Sequence, residues 1–326
     1  MTGGGARILL AAALTAAAVG CAPKVVRLEL VSSTAEAVSF LGDTLYGLPL
    51  DPAGGPARIA RLNDARERVA RNPGDFRARL ALTRHIRGLG RLREAISMYT
   101  EAMGIHIGDP RLYRERGEVL LQLRYLDAAI ADFRKAGLLA LGRSTTLEGP
   151  PPWGSDSTAT VLTTTQYQTT FLLGVALYFK GEFIAAREAL AEAAGAAITA
   201  DDRTRAMLWL FYSARRIGDG AAAKEVLALV QPQWAENSQI PEMDLLLGFK
   251  GWMPSDSVQV RALRARNEDQ AIYSYGLGFF AMMRGKEEAR LWLERARGIG
   301  NWTSLAYIAA ETDLGRITGV SRPRPR

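Results

Sequence analysis

The chain has 326 residues, of which 48% are hydrophobic, and its 41 basic and 34 acidic side chains give a net charge of +7. The hydrophobic content excludes an intrinsically disordered protein. The positive charge does not predict a nucleic-acid partner, because 35 of the 41 basic residues are Arg, which GC-rich genomes favour regardless of function.

Residues 1–21 have the pattern of an export signal. Arg7 provides a positive start, and Ile8–Val19 is an apolar stretch that is too short for a membrane span, which needs about 20 residues. Ala18-Val19-Gly20-Cys21 then resembles the lipobox of bacterial lipoproteins. We therefore predict a lipoprotein signal peptide over residues 1–21. An ordinary secretory signal and an uncleaved N-terminal anchor are the alternatives.

Cys21 is the only cysteine of the chain, so it cannot form an intramolecular disulfide. Its position at the end of the signal predicts the lipidation site. Ala22 follows it, where many inner-membrane lipoproteins have Asp. The resemblance therefore implies an exported, membrane-anchored protein. It would face the periplasm from the outer membrane of a Gram-negative cell, or lie on the cell surface.

Residues 22–56 are predicted to be a tether with short local structure. Val25–Val31 alternates like a short strand, and Glu36–Leu48 is compatible with one short helix. Two Pro- and Gly-rich stretches, Leu48–Pro52 and Gly54–Pro56, then interrupt the chain.

A repeat of 34 residues begins after the tether. Its clearest positions are Gly90, Ala95, Tyr99 and Ala102, which recur as Arg124, Ala129, Phe133 and Ala136. Three further copies begin near Thr170, Met207 and Ser274, and Gln231–Gln270 reads as degenerate helical hairpins. Alanine at a fixed position allows two helices to cross closely, and the aromatic residue one turn later fills the space between repeats.

This period and these small residues are the signature of the tetratricopeptide repeat, a helix–turn–helix unit that stacks into a solenoid. We predict an all-α fold, a right-handed superhelix of helical hairpins over residues 57–316. Residues 143–169 form an insertion, with Gly149–Gly154 resembling polyproline and Thr158–Thr170 extended. Residues 317–326 form a basic tail. The alternative is chance periodicity in two or three amphipathic helices.

Positive charge is concentrated at the start of the solenoid. Residues 58–93 contain 11 Arg and three acidic residues, whereas the rest of the chain is about neutral. This segment is predicted to rest on anionic head groups or on an acidic partner, since each cation near such a surface contributes about 1 kcal/mol. A solvated helix face is the alternative.

The first helix of each repeat is expected to line a concave groove that binds a protein or an extended, acidic peptide. Arg suits carboxylates, and aromatic rings suit apolar or planar groups. Packing between helices is the alternative for the aromatic residues. The predicted groove residues are Arg77, Arg84, Arg87, Arg111, Arg114, Phe171, Tyr178, Phe179, Arg205, Tyr212, Arg215 and Arg216.

The sequence offers little for catalysis or metal binding. His85 and His106 are its only histidines, whereas a zinc site needs three or four ligands. No phosphate-binding loop, nucleophile elbow or zinc-protease motif is present in the sequence. We predict no enzyme activity, no cofactor and no metal.

The lipobox followed by these repeats resembles the NlpI-like lipoproteins of the outer membrane. The local likeness lies in Leu208–Leu210, Ala223–Leu227 and the final hairpin Tyr275–Leu314. That resemblance implies an adaptor for periplasmic proteases and peptidoglycan hydrolases. Over its full length the chain is similar to a wider set of exported repeat proteins without assigned function, through Gly300–Trp302 and Tyr307–Glu311.

The expected function is that of a membrane-anchored scaffold that recruits proteins. A structural subunit of a membrane complex and a solenoid that binds a small ligand or lipid are the alternatives. An enclosed apolar cavity would favour the small ligand, and an open basic trough would favour a peptide.

Overall fold

The computed structural model describes residues 34–48, 54–143, 145–148, 163–231, 233–234, 238 and 240–320. The predictions for the signal peptide, Cys21, the strand-like Val25–Val31, the Pro-rich stretch of the insertion and the last six residues lie outside these ranges.

The described ranges contain fourteen α-helices. They are α1 Gly55–Arg71, α2 Phe76–Gly88, α3 Leu92–Ile105, α4 Pro110–Gln122, α5 Leu126–Ala140, α6 Thr165–Lys180, α7 Phe183–Ala196, α8 Ala200–Ile217, α9 Gly220–Leu229, α10 Pro241–Lys250, α11 Ser255–Arg264, α12 Asn267–Met283, α13 Glu288–Arg297 and α14 Leu305–Thr318. None of them is both long and apolar enough to cross a membrane.

Six helical hairpins stack in chain order, from α2–α3 to α12–α13, with α1 before them and α14 after them. The protein is thus an all-α solenoid of tetratricopeptide repeats, as the sequence predicts. The sequence predicts degenerate helical hairpins within Gln231–Gln270, and the described residues of this range form one hairpin, α10 and α11.

Close helix crossings explain the small residues at fixed repeat positions. The five repeat alanines, Ala95, Ala129, Ala186, Ala223 and Ala289, are at most 4% exposed. On the facing helix, glycine allows an even closer approach. A Cβ added to Gly174 would lie 2.5 Å from Cγ of Leu190, and one added to Gly117 would lie 2.8 Å from the Phe133 ring.

The turn between the two helices of a hairpin requires a left-handed residue. Gly90 has φ +74° there, and 34 residues later Arg124 has φ +71°. Glycine adopts this conformation without strain, whereas arginine does not. The Arg124 side chain is 3% exposed, and it makes an ion pair with Glu311 and a hydrogen bond to the Trp302 carbonyl that glycine cannot make.

Residues 34–48 form a β-hairpin that packs on the solenoid, so the predicted helix over Glu36–Leu48 is wrong. Strand β1, Ala35–Val38, pairs antiparallel with β2, Thr44–Tyr46. Gly42 turns the chain at φ +95°, which ends any helix. The buried Ala37 and Leu45 join the core of the first repeats, a tertiary contact that favours the paired strands.

The insertion is shorter than predicted. Strand β3, Leu147–Glu148, pairs antiparallel with β4, Thr163–Thr164, and α6 begins at Thr165. The third repeat thus starts about five residues before the predicted Thr170. The Thr164 hydroxyl accepts the Tyr167 N–H at 3.0 Å, and this N-cap begins the helix within the Thr-rich stretch.

The last helix, α14, folds back onto the array and packs against α6, α12 and α13. Its Glu311 is 0% exposed and forms an ion pair with Arg124, 2.8 Å between Oε2 and Nη2. The Phe40 N–H donates to the same carboxylate. This buried contact, which we call the Glu311 clasp, joins the N-terminal hairpin, the α4–α5 turn and the C-terminal helix.

Candidate functional site

Most arginines of the predicted groove are paired within the protein. Arg84 pairs with Glu115, and its Nε lies 2.7 Å from Oε1. Arg87 holds both carboxylate oxygens of Glu118, and Arg114 pairs with Glu148. Glu118 and Glu148 were not identified in the sequence as partners of these arginines.

The lowered pKa of Glu115 shows how strongly the neighbouring arginines stabilise its charge. Burial by itself would raise its pKa, but the charges of Arg114 and Arg84 outweigh burial and hold the pKa at about 2. The carboxylate is therefore ionised at any physiological pH. Arg84, Arg87 and Arg114 of the first two repeats thus belong to an internal ion network and are not free.

The other predicted arginines differ in their surroundings. Arg77 is exposed, Arg111 pairs with Asp109 at 2.7 Å, and Arg216 pairs with the buried Asp313 of α14. Arg205 lies 3.6 Å from Glu242. Arg215 forms no ion pair with any described residue.

The predicted groove aromatics lie in the core. Phe171, Tyr178, Phe179 and Tyr212 are at most 5% exposed. The rings of Tyr178, Phe179 and Tyr212 pack around Trp209, with centroids 5.3, 5.6 and 5.7 Å from its ring. Packing between helices therefore accounts for these side chains, and their role in partner binding stays a prediction.

One apolar groove does open at the C-terminal ends of α8, α10 and α12, with a volume of about 420 Å³. Its aromatic floor includes Phe211, stacked on Phe249 with centroids 4.9 Å apart, and Phe280, 5.5 Å from Phe249. We call it the phenylalanine groove. Its lining consists of Phe211, Arg215, Gly220, Ala223, Lys224, Leu227, Phe249, Phe279, Phe280, Met283 and Arg284.

Three cations and no acidic residue line the phenylalanine groove: Arg215, Lys224 and Arg284. Within the described ranges none of the three forms a salt bridge, although Arg284 lies over the Phe280 ring at 5.1 Å. Arg215 was predicted as a groove residue. Lys224 and Arg284 were missed because they lie on α9 and after α12, outside the positions examined for a concave face.

A second cavity, of about 280 Å³, lies near the N-terminal ends of α10 and α12 and against the middle of α8. It receives residues from the first turns of α10 and α12 and from the earlier part of α8, whereas the phenylalanine groove receives later residues of each. We call it the acidic cavity. It is lined by Phe171, Arg205, Leu208, Trp209, Tyr212, Ile240, Pro241, Glu242, Glu268, Asp269, Ile272, Tyr275, Leu305 and Ala306.

Two carboxyl groups of the acidic cavity are poorly solvated. Burial raises the pKa of Glu242, although the charge of Arg205 opposes the shift. Burial also raises the pKa of Glu268 to about 7, and the charge of Glu242 adds to the effect despite a hydrogen bond from Asn301. The cavity thus holds two carboxylates that repel each other, with one arginine nearby.

Tyr212, one of the lining residues of the acidic cavity, carries a buried polar atom without a partner among the described residues. The Tyr212 hydroxyl has no hydrogen-bond partner among the described residues, although the side chain is only 1% exposed. Burial raises its pKa, and the charges of Tyr178 and Glu242 add to the effect. The acidic cavity was not predicted. Its sequence signal was acidic residues at two helix starts, Glu242 and then Glu268-Asp269.

The arrangement of both sites suits binding more than catalysis, and a fold of this class typically lacks catalytic activity. Solenoids of this kind generally act as protein-interaction scaffolds. Among the described residues no group of three His, Cys, Asp or Glu side chains is placed to hold a metal ion.

Comparison with known proteins supports the fold. No family model and no curated protein matches the chain. A solved tetratricopeptide repeat protein from Parabacteroides merdae ATCC 43184 is similar in structure, with a TM-score of 0.50 and 13% sequence identity. The match covers 80% of this chain and 94% of that chain. At this identity the likeness concerns the fold alone.

Proposed function

We propose that this protein is a non-catalytic, membrane-anchored scaffold that binds an acidic, amphipathic segment of a partner protein in the phenylalanine groove. A lipid on Cys21 would hold it at the membrane, facing the periplasm or the cell exterior. The single observation that carries the binding role is the combination of an aromatic floor with three cations that form no salt bridge with any residue that the structure describes.

The groove matches such a segment in both of its parts. Apolar side chains of the ligand would cover Phe249 and Phe280, which are half-buried in the free protein. Its carboxylates would pair with Arg215 and Arg284, where arginine forks suit planar anions. Some of these cations also stabilise the helices, because a positive charge near a helix C-terminus interacts favourably with the helix dipole. Reversal of charge must therefore be accompanied by a measurement of stability.

The test is a comparison of partners captured from native membranes. The variant Arg215→Glu/Lys224→Glu/Arg284→Glu reverses the groove, and Arg134→Glu/Lys135→Glu/Arg264→Glu is the matched control on exposed surfaces of α5 and α11. We expect the groove variant alone to lose its partners while both variants keep their thermal stability. If a stable groove variant captures the same proteins as the wild type, the proposal is wrong.

The anchor is tested separately. Metabolic labelling with a fatty acid should mark the wild-type protein and not Cys21→Ser, and the variant should leave the membrane fraction. A labelled variant, or an unlabelled wild type, would contradict lipidation at Cys21 without affecting the groove. The adaptor role implied by the NlpI resemblance requires identification of the captured proteins.

A further inference from the structure

We propose that the acidic cavity is a second binding site, separate from the phenylalanine groove, and that it takes an organic cation. The recognised group is an ammonium or a guanidinium, presented either by a Lys or Arg side chain of a partner protein or by a small amine.

Once Glu268 is ionised, the charge balance of the cavity favours a cation. Glu242, Glu268 and Asp269 line it, and Arg205 is the one basic residue in the lining. Arg205 is itself shared, because its guanidinium lies 3.6 Å from Asp202 as well as 3.6 Å from Glu242. The carboxylate of Glu268 therefore has no cation of its own within the lining, and two like charges occupy one desolvated space.

The aromatic residues that line the cavity favour an organic cation. Phe171, Trp209 and Tyr275 line the cavity together with Tyr212, and the faces of aromatic rings attract ammonium and guanidinium groups. Tyr212, which belongs to this lining, also has a buried hydroxyl with no hydrogen-bond partner among the described residues, and such an oxygen can accept an N–H. A metal ion fits poorly, since no three carboxylates of the described chain are placed as metal ligands.

The size of the cavity sets the size of the ligand. At about 280 Å³ it is slightly smaller than the pockets that hold drug-sized molecules, which measure about 300–1,000 Å³. One Lys or Arg side chain or one short amine fits this volume. A whole folded segment does not, so a partner protein would insert a single side chain.

The site is independent of the proposed scaffold function. The two cavities lie at opposite ends of α10 and α12, and no described residue lines both. A variant of the acidic cavity therefore leaves the cations of the phenylalanine groove in place. Binding at either site can fail without failure at the other.

Calorimetric titration tests the proposal with four probes: N-acetyl-lysine methylamide, N-acetyl-arginine methylamide, putrescine and the neutral N-acetyl-norleucine methylamide. We expect the cationic probes to bind and the norleucine probe not to bind. Glu268→Gln and Glu242→Gln should each weaken binding at least tenfold. Glu225→Gln, on the exposed side of α9, is the matched control and should leave it unchanged.

The pH dependence provides a second readout. Glu242, Asp269 and Arg205 line the same cavity as Glu268, and Asn301 and Ser304 hydrogen-bond to the Glu268 carboxyl group. Because Glu268 must be ionised to hold a cation, affinity should fall as pH decreases below about 7, by about tenfold per unit at most for one proton. Glu268→Gln should remove the part of this dependence that is centred near pH 7, and the part due to Glu242 should remain.

The outcomes separate the two sources of the cation. Tighter binding of the amino-acid probes than of putrescine supports a partner side chain, and the reverse order supports a small amine. Absence of binding by all three cationic probes, or binding that Glu242→Gln and Glu268→Gln leave unchanged, would overturn the proposal. Tyr212→Phe offers an additional variant of nearly identical shape, with an expected loss of affinity for the N–H donors.

Discussion

The Glu311 clasp should hold the two ends of the array together, and Glu311→Gln tests this. In the wild type the Glu311 carboxylate accepts from Arg124 Nη2 at 2.8 Å, from Arg124 Nε at 3.2 Å and from the Phe40 N–H. Arg124 also donates to the Trp302 carbonyl at 2.9 Å. The substitution keeps the shape but removes the charge and brings an NH₂ group towards these donors.

The magnitude follows from burial. Both side chains are at most 2% exposed, and removal of one partner of a buried pair costs about 3–5 kcal/mol because the other charge remains uncompensated. The exposed pair Arg290–Glu294, with side chains 66% and 48% exposed, is the matched control. Glu294→Gln should cost less than about 1 kcal/mol.

Urea unfolding would measure the free energy, and hydrogen exchange would locate the change. Repeat arrays do not always unfold in one step, so local protection is the more specific observable. Glu311→Gln should lose protection in α14 and in residues 34–48 first. The double variant Arg124→Gly/Glu311→Gln should recover part of the loss, because the orphaned charge is gone and glycine accepts φ +71° without strain. A cost of about 1 kcal/mol or less, with uniform exchange, would refute the clasp.

Three other predictions concern the core, the acidic cavity and the anchored end. Gly174→Ala should destabilise the protein by about 1–3 kcal/mol, because the added Cβ would lie 2.5 Å from Leu190. Gly137→Ala, whose added Cβ meets nothing within 4 Å, should stabilise helix α5 by up to about 1 kcal/mol. Thermal unfolding of both variants checks this, and equal effects on stability would contradict it. Burial raises the pKa of Glu268 to about 7, so its ionisation lowers the stability of the folded protein as pH rises from about 4.5 to 7. Glu268→Gln should therefore be up to about 3 kcal/mol more stable than the wild type at pH 8 and about equally stable at pH 4.5. A stability difference that is the same at both pH values would show that Glu268 is not desolvated. Lipid-free protein should bind anionic vesicles through the basic segment 58–93 at low salt and should be released at high salt. If salt does not change the binding, the contact is not electrostatic.

The sequence by itself determined the repeat architecture of this protein. A 34-residue period with alanine at one position, as in Ala95 and Ala129, requires hairpins that cross closely, since no larger side chain fits there. That requirement is local to each hairpin, so it is visible in a linear pattern. The helix predicted over Glu36–Leu48 failed for the opposite reason: its strands depend on contact with residues about 50 to 270 positions away, as when Trp302 Nε1 donates to the Tyr46 carbonyl at 2.7 Å.

Only the tertiary structure decided which charges are available to a ligand. The sequence predicts Arg84 and Arg87 as groove residues, yet each pairs with a carboxylate 31 residues later, on the next repeat. Conversely, the sequence places Glu242 and Glu268 at the starts of two separate helices, whereas the structure brings them into one poorly solvated cavity. The physical reason is that a charge is neutralised or left unpaired by its neighbours in space, and stacking brings together helix ends that the chain keeps far apart.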